Sequence, residues 1–396
     1  MNQRSIALEI LHKTIRDESY SNLLMRQTLN QLEPIQRGFV TEIVNGVLRN
    51  YEYLMYQFKE EISENTSLKN KLIICLALYE RFYLKQKDYV VCNEYVELAD
   101  NKYDKAFVNA ILHKCVEFKK TDIAYIKYSL PKWLYNLLDS QYNETDFLNI
   151  FDVYHKVPKV YYRINKNKCS MAELSNIKPV NDDLFTSDEN LVGSDEFKRG
   201  YFYVQDYNSA SLYKNLDLNE NCTLLDVCSA PGSKLFNCLD NVNPRNCYAN
   251  DIHEHRVELI KKAAHRLGYE GINYLNCDGT KIKDSIDMKF DRIMLDVPCS
   301  GLGVIGRKPD LKFHIKPENL DTLQVLQYQL LDSVKDLLNE DGIILYSTCT
   351  LNKKENTRLV SRFVSEHDEF MIEKEETVIN GLGDCFYYAK IRKVKC

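Results

Sequence analysis

Apolar residues in the first 120 positions recur at helical spacing. Ile6, Leu8, Ile10, Leu11 and Ile15 mark a first stripe; Glu33-Pro34 marks a helix start, and Phe39, Ile43 and Val47 carry the stripe onward. Leu68 to Leu84 is mostly apolar, which predicts the central helix of a bundle. Val90–Ala99 and Ala106–Phe118 complete an all-α region. Residues 121–157 read as helical connectors and hold the single tryptophan, Trp133, after Pro131. The pattern then changes. Val160–Ile164 and Tyr201–Val204 are strand-like, Met171–Asn176 reads as a short helix, and the acidic stretch Asp182–Glu196 reads as surface loop. From about 206 onward strands and helices alternate, which implies a mostly parallel sheet with helices on both faces. Strands are expected near 223–227, 246–250, 272–276, 290–295, 342–347, 368–373 and 385–391, and helices near 233–240, 253–267, 317–339 and 352–366. The expected organisation is multidomain: an all-α bundle over 1–120, a helical linker with a small α+β domain over 121–205, and an α/β domain over 206–396.

Composition narrows the class. The longest uncharged apolar run, Leu72–Leu78, is far too short to span a bilayer. Charges are spread through the amino-terminal residues, so a cytoplasmic protein is expected. The thirteen cysteines form no CxxC pair, which argues for reduced thiols and against a zinc site. His253 and His255 lack a third ligand nearby, so no metal is expected. Net charge is −5, mildly against a nucleic-acid partner. Two basic stretches stand out against it. One holds Lys156, Lys159, Arg163, Lys166 and Lys168, interleaved with Tyr161 and Tyr162; the other holds Arg307, Lys308, Lys312 and Lys316. They predict a track for a phosphate backbone, with Lys156, Lys159, Arg163, Arg307, Lys308 and Lys312 as candidate contacts.

Candidate chemistry gathers at the carboxyl ends of the expected strands, where ligands of open α/β sheets bind. The first strand runs into Cys228-Ser229-Ala230-Pro231-Gly232-Ser233-Lys234. Small side chains there let a ligand approach the backbone, and the following helix amino terminus favours an anionic group. Asp251, about twenty residues beyond the glycine, is placed to bind ribose hydroxyls. Asp278 and Asp296 follow the next two strands. Cys299 and Cys349 follow two successive strands and would share one crevice. A nucleotide-type cofactor pocket beside two thiols points to covalent chemistry on a base.

The segments Asp226–Lys234, Leu295–Asp310 and Ser347–Thr350 resemble the signature motifs of the RNA 5-methylcytosine methyltransferases, and within them the RsmB (Sun, Fmu) family acting on small-subunit ribosomal RNA. Tyr20–Leu24, Thr41–Arg49, Val91–Ala99 and Phe107–Leu112 resemble the NusB-type RNA-binding domain of that family. The resemblance spans nearly the whole chain. It implies a NusB-like bundle, a linker domain and a Rossmann-like class I methyltransferase domain using S-adenosylmethionine. It implies that Cys228, Ser229, Ala230, Pro231, Gly232, Ser233 and Lys234 hold the methionine end of the cofactor, that Asp251 binds ribose, that Asp278 lies near adenine, and that Asp296 faces both methyl donor and base. Cys349 would be the nucleophile and Cys299 would assist product release.

Four positions depart from the family pattern. Ser233 stands where a second glycine is usual, Leu235 where threonine is common, Thr350 where serine is usual and Gly306 where arginine is frequent. None removes a reactive group. The implied partner is RNA, with a monomeric enzyme, no membrane and no metal. The rivals are the same chemistry on tRNA or large-subunit rRNA, a non-catalytic RNA-binding or assembly factor, and a methyltransferase for protein or small molecules, which would not need Cys349.

Overall fold

The helix Leu68–Phe82 organises the first part of the chain. Leu72 through Leu78 are all fully buried, as a segment apolar on every side requires. Helices Gln3–Arg16, Pro34–Arg49, Tyr51–Gln57, Asp88–Val96 and Lys102–Lys114 pack against it. Local chemistry fixes their starts. Asn2 accepts from the Arg4 amide, Ser67 from that of Asn70, and Asn101 from those of Tyr103 and Asp104. Each such cap contributes about 1 kcal/mol. Pro34 opens its helix behind a Glu33–Gln36 capping box.

The computed structural model describes residues 2–394. It divides into two compact units. One comprises the chain up to Phe147 together with residues 305–316; the other comprises residues 148–304 and the chain from Pro317 onward. Residues 121–147 thus go with the helices, and 148–205 with the parallel sheet, rather than forming a third compact body.

Residues 305–316 join the helical unit through specific polar contacts. Arg49 Nε donates to the Gly306 carbonyl (3.2 Å), and Asp310 Oδ2 accepts from the Ser21 amide (2.9 Å). Lys312 Nζ donates to the carbonyls of Arg49 (2.9 Å) and Ser129 (2.8 Å), and Phe313 packs edge-on against Tyr51. Lys312 is 5% exposed, so its charge does not face solvent; this corrects its expected role as a phosphate contact. Burial lowers its pKa to about 7. Between that value and the ordinary lysine value near ~10.4, the unfolded chain holds a proton that the folded chain has lost. Stability therefore rises with pH across this window, by at most about 1.4 kcal/mol per unit from this group. Denaturant titrations at pH 7 and pH 10 should show Lys312→Met losing ground to wild type as pH rises. A constant difference between the two proteins would exclude the buried lysine as the source.

The second unit contains two sheets. The smaller is antiparallel, in the order β2-β3-β1-β4, with β1 at Tyr162–Ile164, β2 at Lys178–Pro179, β3 at Leu184–Thr186 and β4 at Phe202–Val204. β3 lies inside the stretch read as acidic loop. Leu184 and Phe185 are both buried, Phe185 against Tyr162 and Phe202, and this apolar pair overrides the acidic surroundings. The larger sheet has the order β10-β11-β9-β8-β5-β6-β7. Its strands are β5 Leu224–Asp226, β6 Cys247–Asn250, β7 Asn273–Leu275, β8 Phe290–Asp296, β9 Leu338–Thr348, β10 Phe370–Val378 and β11 Phe386–Lys393. β5 to β9 run parallel; β11 is antiparallel to both β9 and β10.

Strand alternation sends successive side chains into two separate cores. Leu224, Met294, Ile343 and Leu345 pack on one face with Leu235, Phe236 and Ile260. Leu225, Ile293, Leu295 and Ile344 pack on the other with Leu330, Val334, Val360 and Phe363. From β5 the chain winds to β6 and β7 on one side, then returns to β8 and β9 on the other. The reversal lies at β5/β8, and a ligand crevice opens beyond the carboxyl ends at such a point. One expected helix starts late: residues 353–356 form turns, and the helix runs only from Thr357 to Glu366. Among the described residues no helix is long and apolar enough to cross a membrane.

Candidate active site

The strand ends bring most of the expected site residues to one rim. Beyond β5, Cys228–Lys234 forms a tight loop in which the Gly232 amide donates to the Ser229 carbonyl (2.7 Å). Gly232 has φ +99°, and a Cβ there would lie 2.6 Å from the Phe236 ring. Both facts demand glycine. Beyond β6, Asn250 ties three strand ends together. Its side-chain amide donates to the carbonyls of Val227 (3.0 Å) and Cys277 (3.1 Å), and its Oδ1 accepts from the Cys277 amide (3.0 Å). Asp251 is buried, with Oδ1 accepting from the His253 amide (3.1 Å) and Oδ2 paired to Arg256 (3.3 Å). Asp278 caps the next turn, accepting from the Thr280 amide and hydroxyl, and these bonds lower its pKa.

The reactive groups lie beyond β8 and β9. Cys299 Sγ and Cys349 Sγ are 3.2 Å apart, and both residues are half-buried. Beside them Lys234 Nζ meets Asp296 Oδ2 at 2.5 Å, while Asp296 Oδ1 accepts from Ser347 Oγ at 2.9 Å. Burial works against the Lys234 charge, but Asp296 outweighs it and Cys349 adds to the same effect, so the ammonium is held above its usual pKa. The Cys299 thiol is pushed well above its usual value, first by its hydrogen bond to Cys349 and then by burial and the charge of Glu355. Burial also pushes up the Cys228 thiol, which leaves it an inert wall of the loop. Gly303 allows the loop after Cys299 to reach the strand ends. Its amide donates to the Cys349 carbonyl (2.9 Å), and a Cβ would lie 2.0 Å from the Cys385 carbonyl oxygen.

Four functional candidates were not assigned from the sequence. Asp226, at the end of β5, is buried, and burial raises its pKa to about 7. Asn250 and Arg256 organise the cofactor-side loops. Glu355 is fully buried between the two cysteine loops. The only sequence signal for Glu355 was the polar run from Asn352 to Asn356 directly after a strand, which reads equally well as a helix start.

The expected RNA contacts separate into two groups. Lys156, Lys159 and Lys308 are exposed and Arg307 is partly so. Arg163 is 2% exposed, paired to Asp240 (3.0 Å) and Asp183 (3.6 Å), and it donates to the Ala210 carbonyl. Like Lys312, it is a buried side chain bonded inside the fold and not a surface contact. Its position in β1 turned it inward, where the period-two alternation of a strand outweighs the charge of its neighbours. His253 and His255 stack at 5.5 Å, and among the described residues no group of three or more His, Cys, Asp or Glu side chains could hold a metal.

This arrangement matches known proteins over most of the chain. Residues 213–390 match the family model of the 16S rRNA methyltransferases RsmB/F, and residues 1–117 match that of the NusB family. The probable ribosomal RNA small subunit methyltransferase B of Bacillus subtilis is 32% identical over 93% of this chain and 89% of its own length. The corresponding probable enzyme of Synechocystis is 28% identical over 95% of this chain and 92% of its own. Among solved structures, PH0851 aligns with a TM-score of 0.80 over 99% of both chains at 20% identity. NSun6 from Pyrococcus horikoshii, solved with SFG, aligns with a TM-score of 0.60 over 67% of this chain and 99% of its own at 18% identity. These two establish a shared fold. With both family models matched in order and a relative above 30% identity across nearly its whole length, the chain belongs to the ribosomal RNA small subunit methyltransferase B family.

Proposed function

We propose that the protein transfers a methyl group from S-adenosylmethionine to carbon 5 of a cytidine in small-subunit rRNA, through a covalent adduct at Cys349. The observation that carries this reading is the pair of half-exposed thiols, 3.2 Å apart, beside the Lys234–Asp296 pair at the carboxyl ends of adjacent strands. Methylation at oxygen or an exocyclic nitrogen would need neither thiol.

S-adenosylmethionine supplies the methyl group, carried on a sulfonium. The residues present fit such a cofactor. Gly232 holds the loop at φ +99°, Ser229 Oγ is buried without a hydrogen-bond partner, and the buried carboxylate of Asp251 stands at the next strand end. Cys228–Lys234 would hold its methionine end, Asp251 its ribose and Asp278 its adenine side. Gly232→Ala adds both strain and the clash with Phe236. The free loop should relax out of this shape, and restoring it on binding should weaken cofactor affinity by about five- to thirtyfold for one to two kcal/mol of backbone strain, read by calorimetric titration with S-adenosylmethionine.

Carbon 5 of cytosine is a weak nucleophile. Addition of the Cys349 thiolate at carbon 6 forms an S–C6 bond and moves the ring electrons toward nitrogen 3 and carbon 5. The proton shared between Lys234 and Asp296 can be offered to nitrogen 3 as charge builds there. Carbon 5 then takes the methyl group. The carbon 5 proton leaves to a solvent water, the C5–C6 double bond re-forms, the nitrogen 3 proton returns to the Lys234–Asp296 pair, and the S–C6 bond breaks to return Cys349 as thiolate, with the neutral Cys299 thiol donating a hydrogen bond to the departing sulfur. The target base must leave its stack to reach both thiols, which favours a loop or unstructured rRNA.

Lys156, Lys159, Arg307 and Lys308 are proposed to contact the RNA backbone. Replacing Lys156 and Lys159 together should weaken rRNA binding uniformly across sequences and reduce the slope of log K against log salt by up to about 1.4–1.8 for two phosphate contacts. The reading as a whole is tested by incubating the protein with S-adenosylmethionine and separate unmodified rRNA and tRNA pools, then digesting each for mass spectrometry. 5-Methylcytidine in small-subunit rRNA alone is the expected result. Its appearance in tRNA would redirect the substrate, and its absence everywhere, with cofactor binding intact, would overturn the reaction.

A further inference from the structure

Glu355 sits between the two cysteine loops and bonds to both of them. Its Oε2 accepts from the Ser300 amide (2.9 Å) and from Gln327 Nε2 (2.9 Å); its Oε1 accepts from Ser300 Oγ (2.6 Å) and from Asn352 Nδ2 (3.1 Å). Ser300 follows Cys299 directly. Ser300 Oγ also meets Thr350 Oγ1 at 2.6 Å, and Thr350 follows Cys349 directly. Gln327 Nε2 donates in addition to the Pro298 carbonyl (2.9 Å), on the other side of Cys299. The Glu355 backbone is held in turn, because Tyr346 Oη donates to its carbonyl (2.7 Å). Asn356 completes the knot, donating to the Thr350 carbonyl (2.9 Å) and accepting from Thr348 Oγ1 (2.6 Å).

This network is fully buried: Glu355, Gln327, Thr348, Thr350 and Asn352 are all at 0% exposure. Four donors converge on the two Glu355 oxygens, three of them N–H groups that can only donate, which is the arrangement of a carboxylate. Both Glu355 oxygens carry two donors each, and removing one of these buried partners is costly, so the geometry they impose is stiff. The charge is also placed unevenly. Cys299 has Glu355 against its loop, with Tyr346 and the other thiol as its remaining titratable neighbours. Cys349 has the ammonium of Lys234 nearby, which is itself paired to Asp296.

We propose that Glu355 is a positioning residue that fixes the two thiols in contact and directs the single negative charge of the pair to Cys349. The inference rests on the reading of Cys349 as nucleophile and supplies the reason that the roles are not exchanged. A carboxylate beside Cys299 disfavours a second anion there, so Cys299 waits as a neutral thiol, while the cationic side of the pair favours the thiolate at Cys349.

The charge argument is tested with neither RNA nor methyl donor. In a Cys349→Ala protein, alkylation of Cys299 by iodoacetamide is followed against pH by peptide mass spectrometry, with and without Glu355→Gln. The neutral amide should move the Cys299 profile down by about one pH unit, or roughly tenfold in rate at fixed pH. Glu355→Asp, in the otherwise wild-type protein, keeps the charge but is too short to span Ser300 and Gln327. It should leave Cys299 reactivity unchanged and lower kcat for methylation at constant KM for cofactor. Identical Cys299 profiles with and without Glu355→Gln would overturn the charge argument. If Glu355→Gln does not retain cofactor binding, full turnover by Glu355→Asp would overturn the positioning role. A shifted alkylation profile in a protein that makes no 5-methylcytidine would leave the role of Glu355 standing and sink the reaction instead.

Discussion

Replacing Cys349 with alanine is expected to lower methyl transfer by a factor on the order of 10⁴ or more, with affinity for S-adenosylmethionine nearly unchanged. The reason lies in the substrate. Without an S–C6 bond the ring has no electron-rich carbon 5, and binding energy alone cannot supply one. The rest of the site survives the substitution. Lys234 keeps Asp296, Asp296 keeps Ser347, and the cofactor-side loop is held by Asn250 and Arg256, none of which depends on the thiol. Backbone geometry at position 349 is likewise held from outside, because its carbonyl accepts from the Gly303 amide. Single-turnover methylation of small-subunit rRNA, alongside calorimetric cofactor binding, separates the two quantities. Residual activity within tenfold of wild type would mean that Cys349 is a wall of the pocket and that the reaction has another course.

Cys299→Ala should give the opposite kind of defect. Addition at carbon 6 and methyl transfer draw on Cys349, Lys234 and Asp296, which remain. Release of the S–C6 bond draws on Cys299, whose Sγ lies 3.2 Å from the nucleophile and, biased toward the protonated thiol, donates to the departing sulfur. With that donor gone the S–C6 bond cannot be expelled efficiently. A protein–RNA adduct that survives denaturation should therefore accumulate, carrying the methyl label, at close to one RNA per protein. On a denaturing gel it should appear as a band of raised mass that nuclease digestion collapses. The Cys299→Ala, Cys349→Ala double variant should show none. An adduct formed equally by wild type, or its persistence in the double variant, would exclude the division of labour between the thiols.

Both expectations depend on how thiol chemistry is held in place, and there the sequence and the tertiary structure contribute differently. Local pattern was sufficient for the elements that carry the site. Apolar runs such as Ile293–Leu295 and Ile343–Leu345, bounded by turn residues, could only be buried strands, and alternation with helices implied a parallel sheet. Since ligands of such sheets gather at carboxyl ends, Asp251, Asp278, Asp296, Cys299 and Cys349 could be grouped before any contact was known. The all-apolar stretch within Leu68–Phe82 likewise identified the centre of the helical unit.

Local pattern along the chain thus dictates periodicity, and with it strand, helix and rim. Long-range partners were decided only by the fold. Arg163 and Lys312 carry the same charge as Lys156 and Lys308, and no local feature distinguishes a lysine bound to the Arg49 and Ser129 carbonyls from one in water. The segment 305–316 follows a cysteine loop in sequence yet packs with helices from the other end of the chain, through Arg49, Ser21 and Tyr51. Residues 184–186 formed a strand within an acidic run because Tyr162 and Phe202 offered Phe185 an apolar face. Glu355 is the sharpest case. Its partners are Ser300 and Gln327 as well as its neighbour Asn352, and two of the three are separated from it by more than a helix in sequence. A propensity or a hydrophobic period is a property of neighbours along the chain, whereas a buried charge is tolerated only where donors distant in sequence converge on it.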